Sequence, residues 1–131
     1  MDIVLVDTSV WINFFKGHET HSSLYLKNNL SNIVIATCPV IVQEVLQGMI
    51  SDKDFRYFSS YFDTLTKLIE NNYELAYEAA KLYRELRKKG ITVRKPNDCS
   101  IAVYAIRNNI SLLQDDRDFK LIAQHSKLQL I

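Results

Sequence analysis

The stretch Ile3-Val4-Leu5-Val6-Asp7-Thr8-Ser9-Val10-Trp11 decides the fold. Its four consecutive apolar residues are mostly β-branched and show none of the alternation of a half-exposed strand. Such a run suits a strand covered on both faces, as in a parallel sheet. Asp7, Thr8 and Ser9 then offer capping side chains for a helix from about Val10 to Lys16 that stops at Gly17. Ile33-Val34-Ile35-Ala36 is a second run of the same kind. After it, Pro39 can open a helix over Val40 to Gln47 that ends at Gly48.

The rest of the chain continues the alternation. Helical segments are expected over Ser22 to Asn29 and Asp52 to Phe62. The clearest helix runs from Asn72 to Lys89: Leu75, Ala79, Leu82 and Leu86 share a face, Asn71 or Asn72 caps it, and Gly90 ends it. Pro96-Asn97 opens a helix to about Asn108, with Ile101, Ala102 and Ala105 facing inward, and Arg117 to Gln124 forms a short one. Further strands are expected at Leu65 to Ile69, Ile110 to Leu113 and Leu128 to Ile131. Strands alternating with helices predict an α/β sandwich with a central, mainly parallel sheet. In that architecture functional groups gather beyond the carboxyl ends of the strands.

Composition narrows the class. The 131 residues read as one domain, 1–131, with 47% hydrophobic and 24% charged residues, which suits a globular chain and not a disordered one. A net charge of +1 excludes a grossly basic DNA-coating protein, so any nucleic-acid contact must come from local charge. Cys38 and Cys99 form no C-x-x-C pair and read as reduced, buried thiols. Neither a signal peptide nor a membrane span is visible, which implies a cytoplasmic protein.

The acids fall where the architecture expects chemistry. Asp7 follows the first strand, and Asp115, Asp116 and Asp118 follow the strand ending near Gln114. Asp98 lies in the first turn of its helix, where the dipole favours a carboxylate. Glu44 stands among Val42, Val45 and Leu46 on an otherwise apolar helix, where an acid needs a reason. Each Asp taken singly also fits a helix cap. Gathered together, they would repel: two like charges about 4 Å apart cost roughly 4 kcal/mol at an effective dielectric near 20. A hard divalent cation is the usual remedy, and a cation so held suits phosphodiester chemistry.

Four segments resemble the motifs of the PIN-domain family, and within it the VapC-type toxins of bacterial toxin–antitoxin pairs. They are Val6-Asp7-Thr8-Ser9-Val10-Trp11-Ile12, Pro39 to Gly48 with Glu44 as its acid, Asn97-Asp98-Cys99-Ser100-Ile101-Ala102, and Leu112 to Phe119. Order, spacing and length agree over essentially the whole chain. The resemblance implies a PIN-like three-layer α/β/α sandwich and a Mg²⁺-dependent endoribonuclease, with Mn²⁺ as the alternative ion. Asp7, Glu44, Asp98 and Asp116 would form its acidic quartet, with Asp118 as a fifth ligand or supporting acid. Thr8 or Ser9 would hydrogen-bond a carboxylate or the scissile phosphate. It further implies an RNA substrate such as transfer or ribosomal RNA, a VapB-type antitoxin, and homodimeric and toxin–antitoxin assemblies. Gln114 stands where the family more often has Ser or Thr, and the extra acid Asp115 competes with Asp116 for the fourth place; alignment on Asp-x-Asp-Phe favours Asp116.

Weaker signals remain. From Lys81 to Lys95, seven basic residues face the single acid Glu85. This run, with Arg94 and Lys95 leading into Asp98, reads either as a phosphate grip or as a solvated helix face. The stripe Phe55, Phe58 and Phe62, with Tyr57, Tyr61, Trp11, Phe14 and Phe15, reads as core or as partner interface. His18-Glu19-Thr20-His21 lacks the i, i+4 spacing of a zinc helix. Haloacid-dehalogenase-like enzymes need a second Asp where Ser9 stands, and response-regulator receivers need paired acids and a later Lys that are missing here. The competing reading is a catalytically silent PIN-like module that binds RNA or protein.

Overall fold

The computed structural model describes residues Met1 to Ile131. Strand β1 (Asp2–Val6) buries its last three residues, as its unbroken apolar run requires. Asp7 caps helix α1 (Thr8–Lys16), which closes on Gly17 at a φ of 71° that glycine adopts without a Cβ clash. Helix α2 (His21–Asn29) starts at a capping box, in which Thr20 and Ser23 satisfy each other's backbone N–H groups. The His-Glu-Thr-His segment is therefore a helix start. Strand β2 (Ile33–Thr37) leads to α3 (Pro39–Gln47), with Pro39 in its first turn. Next come α4 (Asp52–Asp63), β3 (Thr66–Lys67) and α5 (Asn72–Lys88), which is capped by Asn71. Helix α6 (Asn97–Asn108) ends on Asn109 in the left-handed region, and β4 (Ser111–Leu113) and α7 (Arg117–Gln124) complete the order.

The four strands are parallel and lie in the order β3-β2-β1-β4. The chain steps from β1 outward to β2 and β3, then returns to lay β4 on the other side of β1. Parallel crossovers are right-handed, so a reversal of direction moves the connecting helices to the opposite face. Accordingly α1 packs on α2 and α3, and α3 on α4, while α5 packs on α6 and α6 on α7. Three layers result, and the buried end of β1, Val4 to Val6, is covered above and below and is apolar. Arg107 of α6 reaches Glu70, Glu74 and Glu78, pinning α5 to α6.

Two strands are shorter than their sequence suggested. The Leu65 to Ile69 segment keeps only two strand residues, because β3 is an edge strand whose last ladder bond runs from the Leu68 N–H to the Thr37 carbonyl and Ile69 is exposed. Leu128 to Ile131 contributes one parallel bridge, Leu130 with Leu112, since three-residue β4 presents little edge to extend.

The aromatic stripe divides between core and surface. Trp11 and Phe62 are fully buried, with ring centroids 5.3 Å apart in an edge-to-face contact. Phe14, Phe15, Phe58 and Tyr61 pack partly buried around them, and Phe55 and Tyr57 stay exposed. Cys38 and Cys99 are buried free thiols, and no helix is long and apolar enough to cross a membrane.

Leu5, fully buried at the centre of the sheet, is the sharpest probe of this packing. Leu5→Ala is expected to cost about 2–5 kcal/mol in urea unfolding. Ile69→Ala, at an exposed position, should stay within about 0.5 kcal/mol of the parent.

Candidate functional site

The reversal of strand order opens a crevice beyond the carboxyl ends of β1 and β4. The pairing of Val6 with Leu113 carries on into a bond from the Asp7 N–H to the Leu113 carbonyl, 3.0 Å. The residues after both strands therefore lie side by side. Asp7 uses one oxygen, Oδ2, to accept from the Ser9 N–H (3.0 Å) and hydroxyl (2.6 Å). Asp116 caps α7 in the same manner, its Oδ1 accepting from the Asp118 N–H at 3.0 Å. Capping and site-building are here one arrangement: the backbone bonds that start each helix also aim its acid.

Asp98 enters from the first turn of α6 and is 3% exposed. Its Oδ2 is buried without a hydrogen-bond partner. Carboxylate oxygens of Asp98, Asp116 and Asp118 lie within 4.8 Å of one another. Glu44, brought in by α3, accepts from the Thr8 hydroxyl at 2.8 Å. Five predicted acids thus converge, but not evenly: the tightest group includes Asp118, whereas Asp7 and Glu44 act on Asp98 through their charge.

Electrostatics record the crowding. Burial, with the negative charges of Asp7, Asp116 and Glu44, pushes the Asp98 carboxyl up to about 7, against the opposing pull of Lys95. Burial likewise raises Asp7, with Glu44 adding to it and the Ser9 bonds opposing. Asp116 goes the other way: burial alone would raise it, but Lys95, the Asp118 N–H and Arg94 hold it below the ordinary value. Cys38 is pushed up to about 12 by burial, reinforced by Asp7 and Glu44, so it is no nucleophile.

The basic pair joins the acids directly. Lys95 Nζ lies 2.9 Å from Asp116 Oδ2, and Arg94 bonds both Asp116 and Asp118. Neither Arg94 nor Lys95 is a free surface charge. Asp115 is directed elsewhere: its Oδ2 accepts from Asn13 (2.9 Å) and Thr20 (2.7 Å). Asp116 is the one that faces the cluster, as the Asp-x-Asp-Phe alignment suggests.

The resemblance implies Thr8 or Ser9 on a carboxylate, and both hydroxyls are found there, but the rest of the scaffold behind these acids was not foreseen. The Ser9 hydroxyl bridges Asp7 and the Asp115 N–H, the latter at 3.0 Å. The Gln114 amide oxygen accepts from the Asp116 N–H at 2.7 Å, and Ser22 holds the Gln114 carbonyl at 2.8 Å. Asn13 on α1 and Ser22 on α2 carry no local signal beyond being polar on helices that pack inward, and Thr20 signals only the cap of α2. The Gln114 amide thereby fixes the turn that presents Asp116.

Comparison with known proteins identifies the family and the fold. The model of the PIN domain matches residues 4–124. The chain is 33% identical over 129 residues to the VapC ribonuclease Mb1587 of Mycobacterium bovis, covering 97% of this chain and 96% of that protein. Ribonuclease VapC11 of Mycobacterium tuberculosis matches at the same identity and coverage. In fold the chain is similar to the solved structure of VapBC2 from Rickettsia felis bound to a DNA fragment from its promoter, with a TM-score of 0.74 and 21% identity over 98% of this chain and 97% of that one. VapBC-1 from nontypeable Haemophilus influenzae gives a TM-score of 0.75 and 20% identity over 98% and 96%.

The crowded acids make stability depend on pH. Asp98 titrates near 7 when folded, above its ordinary 3.8, so between those values the folded chain holds a proton that the unfolded chain has lost. This contribution to stability is full below about pH 4 and is lost as pH rises through 7. Without added divalent ion, thermal unfolding should therefore show Tm falling from pH 5 to pH 8. Asp98→Asn should flatten that fall and raise Tm by several degrees at pH 8; a parent Tm that rises over the range contradicts this account.

Proposed function

Since the chain belongs to the PIN-domain family, among its VapC-type members, we propose that it is a divalent-metal-dependent endoribonuclease, the toxin of a VapBC-type pair. The whole of 1–131 acts as one nuclease domain. The observation that carries the reading is the buried, unpartnered Oδ2 of Asp98 beside the oxygens of Asp116 and Asp118. An acid so placed is costly unless a cation completes it, and an all-oxygen donor set matches a hard ion, Mg²⁺ or Mn²⁺. Asp98, Asp116 and Asp118 would hold the ion, with Asp7 and Glu44 beside them. When bound, such an ion supplies positive charge that acidifies water and stabilises a phosphodiester as it is attacked.

The chain's own residues do the rest. Ser9 and Thr8 hold Asp7 and Glu44 in fixed orientations, at 2.6 and 2.8 Å, so the acids reach the site without reorganisation. Lys95 and Arg94 supply cationic groups at the rim, where an RNA phosphate would arrive. Water adds to phosphorus, the P–O3′ bond breaks, and the departing oxygen takes a proton, leaving a 5′-phosphate and a 3′-hydroxyl. Transfer or ribosomal RNA is the substrate this reading favours, with cleavage in the cytoplasm. A VapB-type antitoxin and a second copy of the chain are its partners. Exposed Ile50, Phe55 and Tyr57, on or beside α4, give such a partner apolar surface to cover.

Cleavage of total RNA by purified chain, with Mg²⁺ or with chelator, tests the proposal. Asp98→Asn and Asp116→Asn should each lower the rate by a factor of about 100 or more while remaining folded. Asp115→Asn should keep most of the activity, because that carboxylate serves Asn13 and Thr20. Cleavage that survives chelator would overturn the metal reading, and metal binding without cleavage of any RNA would favour a silent binding module.

A further inference from the structure

We infer that the neighbouring basic residues Arg94 and Lys95 do opposite jobs at this centre: Arg94 is a fixed clamp that aims Asp116 and Asp118, and Lys95 is an exchangeable counter-ion that yields its carboxylate oxygen to the metal. The inference rests on the metal reading above and adds how the centre is held and loaded.

Arg94 donates three times to two acids. Its backbone N–H and Nε both reach Asp118 Oδ2, at 3.3 and 3.1 Å, and Nη2 reaches Asp116 Oδ1 at 3.1 Å. That Asp116 oxygen also accepts from the Asp118 N–H. A carboxylate oxygen offers about two lone-pair sites, so Asp118 Oδ2 and Asp116 Oδ1 are filled by donors of the protein. The oxygens left for a cation are the other one on each acid. A planar guanidinium spanning two carboxylates, with its own backbone N–H on one of them, sets their relative orientation and cannot swing away without breaking several bonds. The clamp therefore makes Asp116 and Asp118 a preorganised pair.

Lys95 is placed differently. It makes one contact with the cluster, Nζ to Asp116 Oδ2 at 2.9 Å, on a side chain that is 55% exposed. This is the Asp116 oxygen that Arg94 leaves open. The ammonium also lies in the field of Asp98 and Asp7. A single charge on a flexible stem thus stands on an oxygen that a divalent ion would claim. The Lys95 backbone is anchored regardless, its carbonyl accepting from the Asp98 N–H at 2.9 Å. On metal loading the ammonium leaves Asp116 but stays at the rim, free to meet a phosphate oxygen.

The two roles predict opposite signs, which simple charge removal cannot produce. Mn²⁺ binding to the full chain, followed by the electron paramagnetic resonance of the free ion at pH 8, measures them. Lys95→Met should bind Mn²⁺ about tenfold more tightly, because the resident competitor is gone. Arg94→Lys should bind about tenfold or more weakly despite keeping its charge, because the fork that aims the acids is lost. Thermal unfolding of each variant verifies that it is folded. Unchanged affinity in Arg94→Lys, or tighter binding in both Arg94→Met and Lys95→Met, would overturn the division of labour. Absence of Mn²⁺ binding in the parent and every variant would instead overturn the metal reading itself, and the inference with it.

Discussion

The bond from the Asp7 N–H to the Leu113 carbonyl, 3.0 Å, ties the ends of β1 and β4 together, and the site depends on it. It extends the parallel ladder one residue past the strands, at the place where the strand order reverses. Two acidic turns are thereby brought beside each other, though more than a hundred residues separate them. The hydrophobic effect drives the pairing, because Leu5, Val6, Leu112 and Leu113 are fully buried on it. Burial of apolar strands thus brings like charges together.

The chain answers that repulsion locally. Asp7 and Asp116 each give one oxygen to the start of a helix, where backbone N–H groups and the dipole favour negative charge. Asp116 and Asp118 gain Arg94, Asp116 gains Lys95, and Glu44 gains the Thr8 hydroxyl. Asp98 is left over: it has burial, three negative neighbours and only the field of Lys95 to oppose them, and its Oδ2 is buried without a partner. Asp98 Oδ2 is thus the one carboxylate oxygen that is buried without a hydrogen-bond partner, and Asp98 stands beside the oxygens of Asp116 and Asp118. A buried acid left unpartnered beside other carboxylates is costly unless something completes it.

Much of the fold was legible because each signal was local. The apolar runs at Ile3 and Ile33, the stops at Gly17 and Gly90 and the heptad-like face of α5 depend on a few neighbouring residues, and they appear in the structure as read. The two weak strands were less legible, since β3 and the Leu130 bridge exist only by virtue of the partner edge beside them. Among the site residues, Asp7, Asp98 and Asp116 were visible as acids at strand ends and helix starts, and Glu44 as an acid on an apolar helix. Asn13, Thr20 and Ser22 were invisible because their partners lie about 90 to 100 residues away.

The sequence by itself determined the elements, their alternation and the set of acids, because turn chemistry, hydrophobic period and capping act over a few residues. Tertiary structure decided where the side chains of Asp115 and Asp116 each point. One is drawn toward α1 and α2 by Asn13 and Thr20, and the other is held over the crevice by Gln114, Arg94 and Lys95. It also decided that the last two residues of a basic run would join the acids rather than the solvent. Both outcomes depend on which backbones the sheet brings within hydrogen-bonding distance, and that distance is a property of the packed layers, not of the order of residues along the chain.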